Sequence, residues 1–251
     1  MRTAIITGAS SGIGRATALR FSKEGMQLVL TDIDDTGLAA LSQAVPTVHA
    51  VVSGDVASEA TAEAVTETAL QRFGRIDVLV NNAGVFREGA ITGTRSQDLE
   101  RMFEVNVFGG IWMCKHVIPV MQRQGTGSIV NVSSISAHTS QDDRNHSQYL
   151  YNLTKACVAQ LTLCLATGYA ADGIRVNSVC PGVVRTGIVK HLGGPAEDNV
   201  AGWDTMAREN TPLRRAGRAE EVASGIWFLA SNDASFVTGA SLSIDGGFLA
   251  R

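Results

Sequence analysis

No stretch of this chain approaches the ~18 uninterrupted apolar residues that a membrane-spanning helix requires. The apolar run at residues 4–6 leads at once into a glycine-rich turn, which leaves no room there for the apolar core of a secretory signal. A cytoplasmic protein with no membrane partner is expected. Excess charge of one sign is missing too. A formal net charge of −3 over 251 residues provides no broad basic field for nucleic acid or an anionic membrane. The four cysteines, Cys114, Cys157, Cys164 and Cys180, include no CxxC pair, and the five histidines form no HExxH or His/Cys cluster. Metal catalysis therefore has no support, and the cysteines are expected to be buried free thiols. Internal repeats, low-complexity tracts and long charge runs are absent, which leaves no support for a repeat array or a disordered tail.

What is present is an alternation. With 45 % hydrophobic and 18 % charged residues the composition is that of a globular protein, long enough to remove roughly three quarters of its unfolded surface from water. Short Val/Ile-rich runs at 3–7, 27–31, 47–53, 76–80, 127–133, 175–180 and 241–244 have the look of strands. Amphipathic stretches at 14–24, 36–44 and 58–73 separate the early ones. Near-continuous apolar strands alternating with helices imply a parallel sheet covered on both faces. Right-handed crossovers make it doubly wound, with ligands at the carboxyl ends of its strands. The expected fold is α/β, a single domain over 1–251 with about seven parallel strands flanked by helices. Two polar segments, at about 137–148 and 187–210, break the alternation and have the character of substrate loops.

The first strand runs into Thr7-Gly8-Ala9-Ser10-Ser11-Gly12-Ile13-Gly14. Gly8 permits a tight turn, Gly12 lets backbone N–H groups approach a pyrophosphate, and Gly14 allows close packing of the helix. Ser11 and Ile13 lie at the helix N-terminus that would face the anion. A carboxylate, Asp32, follows 18 residues after Gly14 at the end of the second strand, the place of a ribose-binding acid in a Rossmann-like dinucleotide site. It would accept hydrogen bonds from the ribose hydroxyls of NAD and repel the 2′-phosphate of NADP. Ile33 and Asp34 add no positive charge, and Arg15 is expected to be solvated. Asp32 could also serve as N-cap of the following helix.

Tyr151-Asn152-Leu153-Thr154-Lys155 sets a phenol and an ammonium at i and i+4 on one helix face. A cation ~4 Å from a phenolate, in an effective dielectric of ~20, is worth ~4 kcal/mol, or about three pK units before desolvation opposes it. Lys155 is thus expected to bring Tyr151 towards a neutral-pH acid/base.

With these motifs in order, the chain resembles the short-chain dehydrogenase/reductase superfamily from Met1 to about Phe248. The resemblance rests on residues 7–14, Asp55-Val56, Asn81-Asn82-Ala83-Gly84, Asn106, residues 128–134, Tyr151-xxx-Lys155, Pro181-Gly182 with Thr186, Val237-Thr238-Gly239 and Asp245-Gly246-Gly247. It implies an NAD-dependent enzyme moving a hydride between a secondary alcohol or carbonyl and nicotinamide. In that scheme Tyr151 exchanges the proton, Ser134 hydrogen-bonds the substrate oxygen, Lys155 holds the ribose and lowers the tyrosine pKa, and Asn106 holds a relay water. Asp55 and Val56 would flank the adenine, Asn82, Ala83 and Gly84 the adenosine ribose, and Pro181, Gly182, Val184 and Thr186 the nicotinamide end. Ser134 and Tyr151 are 17 apart, a few residues more than is usual, so Ser136 stands as the alternative to Ser134.

Arg144, His146, Lys190 and His191, on the two polar segments, are candidate substrate residues. The first segment has almost no apolar side chain, which favours a small sugar, polyol or hydroxy acid over a steroid. The rivals are an NADP-dependent 3-oxoacyl or ketone reductase and an inactive cofactor-binding regulator. The resemblance also implies a homotetramer, built through helices around 99–121 and 148–169 and the final strand, with no nucleic-acid partner.

Overall fold

In the computed structural model, residues 1–140, 147–188 and 196–251 are described. Seven parallel strands form one sheet in the order β3-β2-β1-β4-β5-β6-β7. They are β1 Thr3–Thr7, β2 Gln27–Asp32, β3 His49–Ser53, β4 Val78–Asn81, β5 Gly127–Val132, β6 Ile174–Pro181 and β7 Ser241–Ile244. The helices are α1 Gly12–Lys23, α2 Asp35–Ala44, α3 Glu59–Phe73, α4 Ser96–Phe103, α5 Gly109–Gln124, α6 Tyr149–Tyr169, α7 Val200–Arg208 and α8 Ala219–Ala230. Among the described residues no helix is long and apolar enough to cross a membrane.

The period of two along each strand sends alternate residues into two cores. Ala4, Ile6, Leu28, Leu30, Val78 and Val80 pack with Phe21 of α1, Leu38 and Leu41 of α2, and Val222 and Ile226 of α8. Ile5, Val29, Leu79 and Ile129 face the other way, onto Val65 of α3, Met113 and Val117 of α5, and Ala166 of α6. Each fully buried Ile, Leu, Val or Phe is worth roughly 1.5–3 kcal/mol of transfer free energy, so strands apolar on both faces are what holds the layers together.

Strand existence matches the expectation, but boundaries move by a residue or two. The fourth strand was expected over 76–80 and runs Val78–Asn81; just before it the Asp77 carboxylate accepts the Thr3 N–H at 2.8 Å. All four cysteines are free. Cys114 and Cys180 are buried as expected, whereas Cys157 and Cys164 lie exposed on α6. Chain order and space diverge at β1, which pairs with β2 on one side and β4 on the other. That switch point opens a crevice at the carboxyl ends of the strands, where such sheets bind ligands.

Candidate active site

The turn between β1 and α1 is braced at this crevice. Gly8 and Gly12 have φ of 63° and 50°, a left-handed backbone that side chains disfavour. Asn82 donates its side-chain N–H groups to the carbonyls of Thr7 and Gly8 at 2.9 and 3.0 Å. Thr7 Oγ1 accepts the backbone N–H groups of Asn82 and Ala83, both at 3.0 Å. A Cβ on Gly14 would stand 2.0 Å from the Gly8 carbonyl oxygen. Gly14 therefore serves the packing of turn against helix, as expected. Asn82, expected to flank the ribose, spends its carboxamide on holding the turn.

Asp32, at the tip of β2, is fixed by two backbone donors. Its Oδ2 accepts from Ser10 N–H at 2.9 Å and its Oδ1 from Asp34 N–H at 3.0 Å. The alternative role as helix cap belongs to Asp34, whose side chain accepts from Gly37 N–H. Arg15 is exposed, as expected. Past the end of β3, Asp55 accepts from Ala57 N–H at 3.0 Å and from Arg101 of α4 at 2.7 Å. Burial pushes the Asp55 carboxyl up, but the Arg101 guanidinium and the Ala57 N–H outweigh it and hold it below the ordinary carboxylate range.

At the other end, β5 delivers Ser134 and the first turn of α6 delivers Tyr151. Both line one cavity, and the Ser134 hydroxyl opposes the rise that burial imposes on the phenol. Ser134 Oγ also accepts from Ser136 N–H at 3.1 Å. Lys155, one helical turn after Tyr151, donates to the Val132 carbonyl at 2.9 Å and lies 5.5 Å from the Tyr151 ring centroid. Ser133 ties the same turn to β5 by donating to the Lys155 carbonyl. The expected lowering of the tyrosine by Lys155 is not met here. Burial pushes Tyr151 up to about 12 and pushes Lys155 down to about 8. The ammonium is committed to a carbonyl, so desolvation decides both groups.

Asn106 occupies a π-turn, Glu104–Phe108, inserted between α4 and α5. Its carboxamide accepts from Val85 N–H at 2.8 Å and donates to the Val85 carbonyl at 2.9 Å and to Thr154 at 3.1 Å. It braces the segment after β4 against α6.

One cavity of about 590 Å³ joins these groups. It is lined by Gly8, Ser11, Gly12, Ile13, Asp32, Asp55, Val56, Asn82, Ala83 and Gly84 at one end. At the other lie Ser134, Tyr151, Lys155, Pro181, Gly182, Val184 and Thr186. Ser136 lines it too; Gly14 and Asn106 do not. The cradle fits a dinucleotide: the glycine turn opens onto it at the N-terminus of α1, and a Cβ on Gly12 would stand 3.1 Å from Thr186. A carboxylate waits at one end and a phenol at the other.

The comparisons with known proteins agree with this geometry. The family model described as enoyl-(acyl carrier protein) reductase matches residues 8–249. A 3-oxoacyl-[acyl-carrier-protein] reductase of Thermotoga maritima is 37% identical, over 99% of this chain and 98% of that protein. A cis-4-hydroxycyclohexanecarboxylate dehydrogenase of Sinomonas cyclohexanicum is 39% identical, over 99% and 97%. The crystal structure of a short-chain type dehydrogenase/reductase from Mycobacterium marinum superposes with a TM-score of 0.91 at 30% identity, over 100% of this chain and 96% of that one. The chain belongs to the short-chain dehydrogenase/reductase superfamily. It is an oxidoreductase of that superfamily, whose members bind a nicotinamide cofactor.

The substrate end of this dehydrogenase/reductase is described in part. Arg144, His146, Lys190 and His191 lie outside the described residues. Around the reacting end the described wall includes Phe86, Ile135, Val183, Ile188, Trp203 and Met206, together with Ser136, Thr139, Gln148, Asn152 and Asn210. An almost wholly polar pocket is therefore not what the described residues make. Phe86 packs edge-on against Tyr151, with centroids 4.8 Å apart. Neither Phe86 nor Arg101 carried a motif signal. Trp203 and Met206 lie near the end of the second polar segment.

Proposed function

We propose that this oxidoreductase is NAD-dependent and interconverts a small secondary alcohol and its carbonyl, with Tyr151 exchanging the proton. The observation that carries this reading is one cavity lined by a doubly held Asp32 carboxylate and by Ser134, Tyr151 and Lys155 together. The nicotinamide ring, when bound, supplies or takes up the hydride. In oxidation the carbinol C–H and O–H bonds would break, and the Tyr151 oxygen, as phenolate, would accept the proton as the hydride departs. In this reading Ser134 would hydrogen-bond the reacting oxygen, and Lys155 would hold the ribose. A cavity of about 20 Å³ beside Lys155 and Asn106, lined also by Thr7 and Asn81, has room for one water and supports a relay behind the lysine. The mixed wall favours a compact substrate with an apolar face. The test is a titration with NADH and NADPH followed by alcohol oxidation with NAD. Tighter NADH binding with turnover supports the proposal.

The second reading, a 3-oxoacyl reductase, draws on the Thermotoga maritima relative. Under it, 3-oxoacyl thioester reduction with NADPH should outrun alcohol oxidation with NAD.

A pH dependence follows from the phenol. With Tyr151 pushed up to about 12 by burial, the acid form prevails at neutral pH and the base form grows as pH rises. Oxidation should therefore accelerate from neutral to alkaline pH, by up to tenfold per unit, while carbonyl reduction should not. A stopped-flow pH series in both directions checks this, and an oxidation rate flat from neutral to alkaline pH would remove Tyr151 as the titrating base.

We also propose the homotetramer. Phe108 and Ile111 beside and on α5, and Leu153 and Leu163 on α6, are exposed in the isolated chain, and such a surface favours association. Light scattering should give the mass of four chains.

A further inference from the structure

We propose that Arg101 is a positioning residue for base recognition: by holding the Asp55 carboxylate it makes the cofactor site select a 6-amino purine over a 6-oxo purine. The proposal rests on the reading that the cofactor's adenosine ribose meets Asp32, and it names what selects the base beyond that ribose. The fold brings Asp55 beside Asp32. Ser53 of β3 stands opposite Asp32 of β2, and Gly54 donates its N–H to the Asp32 carbonyl at 2.9 Å. Asp55 is the next residue. It lines the large cavity together with its neighbour Val56, with Ile33 from the tip of β2 and with Arg101 from α4. Ile33 and Val56 are apolar and suit the faces of a flat ring, and Ile33 is 65% exposed in the free chain. The polar groups left to read the ring edge are the carboxylate and the guanidinium.

Asp55 Oδ1 accepts from Ala57 N–H at 3.0 Å and Oδ2 from Arg101 Nη1 at 2.7 Å. With a donor on each oxygen the carboxylate has one orientation, yet of its roughly four acceptor sites some stay open. The guanidinium also keeps the carboxyl below its ordinary range, so near neutral pH the group accepts and never donates. It suits the 6-amino N–H of adenine and repels the 6-oxo group of hypoxanthine. Side chains 42% and 32% exposed form this pair, and ion pairs so open to water add little to stability. Bracing the fold does not account for it, whereas its place in the wall of the cavity does.

The test measures dissociation constants by nicotinamide fluorescence for NADH and its hypoxanthine counterpart, and for the 2′-phosphorylated forms of both. The full chain is used as wild type, Arg101→Met and Asp55→Asn. Wild type should bind the adenine form about tenfold tighter or more. Arg101→Met should cut that ratio by about threefold or more, chiefly by weakening the adenine form. Asp55→Asn should bring it close to one, since an amide can donate to a 6-oxo group. A general loosening of the site weakens both bases alike, so the ratio reports recognition of the base alone. No preference in wild type, a wild-type ratio in either variant, or a ratio that rises in Arg101→Met because Arg101 itself meets the base, overturns the proposal and leaves the cofactor reading standing. Wild type that binds none of these dinucleotides overturns that reading, and this proposal with it.

Discussion

Replacing Tyr151 by Phe should lower turnover by about 10²–10⁴-fold, the usual loss on removal of a proton-transfer group, while the protein folds and binds its nicotinamide cofactor as before. The substitution deletes one oxygen. The ring keeps its edge-on contact with Phe86, at 4.8 Å between centroids, and its place in the cluster with Met102 and Leu150. Ser134 Oγ still accepts from Ser136 N–H, so the tip of β5 keeps its shape. Because the phenol is already buried and pushed up to about 12, removing it leaves no buried charge behind. The loss should therefore appear in kcat and not in Tm or in the NADH dissociation constant. Steady-state rates with a melting curve and a fluorescence titration on the same preparation separate the two. A Phe variant retaining a third of the wild-type rate would take the proton-transfer role away from Tyr151.

The parts of the molecule legible from sequence are those encoded by local pattern. Strands apolar on both faces announce a covered parallel sheet, and residues 8–14 announce an N-terminal anion site because glycine spacing and strand-to-helix context coincide. The four-residue spacing of Tyr151 and Lys155 places them on one face without knowledge of the fold. What was not legible depends on contacts between distant segments. The Arg101–Asp55 bond joins residues 46 apart in the chain. The π-turn at Glu104–Phe108 carries the same residues an α-helix would, so the inward aim of Asn106 at Val85 and Thr154 had no signature. Burial was misjudged for the same reason. The pair energy was taken before desolvation, whose size spacing does not give, and without the bond that commits Lys155 to the Val132 carbonyl. The cap moved from Asp32 to Asp34 because both acids flank the helix start, and only the backbone shows which one Gly37 N–H meets.

The double replacement Asp32→Ser with Ile33→Arg should move the NAD-to-NADP ratio of kcat/KM towards NADP by about a hundredfold or more. Hydrogen bonds to charged groups are worth roughly 1.5–3 kcal/mol, and each ~1.4 kcal/mol is tenfold. The change removes a carboxylate that would face the 2′-phosphate and adds a guanidinium that pairs with it. Ile33 is 65% exposed, so an arginine there displaces no core. Asp32 also holds the N–H groups of Ser10 and Asp34, and a serine oxygen cannot satisfy both. Some loss of Tm and of NAD efficiency is therefore part of the expected result. Ile33→Arg alone separates the two effects: it should raise NADP efficiency by a smaller factor and leave Tm unchanged, because both bonds to Asp32 remain. Equal NADP efficiency in the single variant, the double variant and the wild type would mean that this corner of the cavity does not meet the ribose. A wild-type protein that works better with NADP than with NAD would overturn the role of Asp32 before any variant is made.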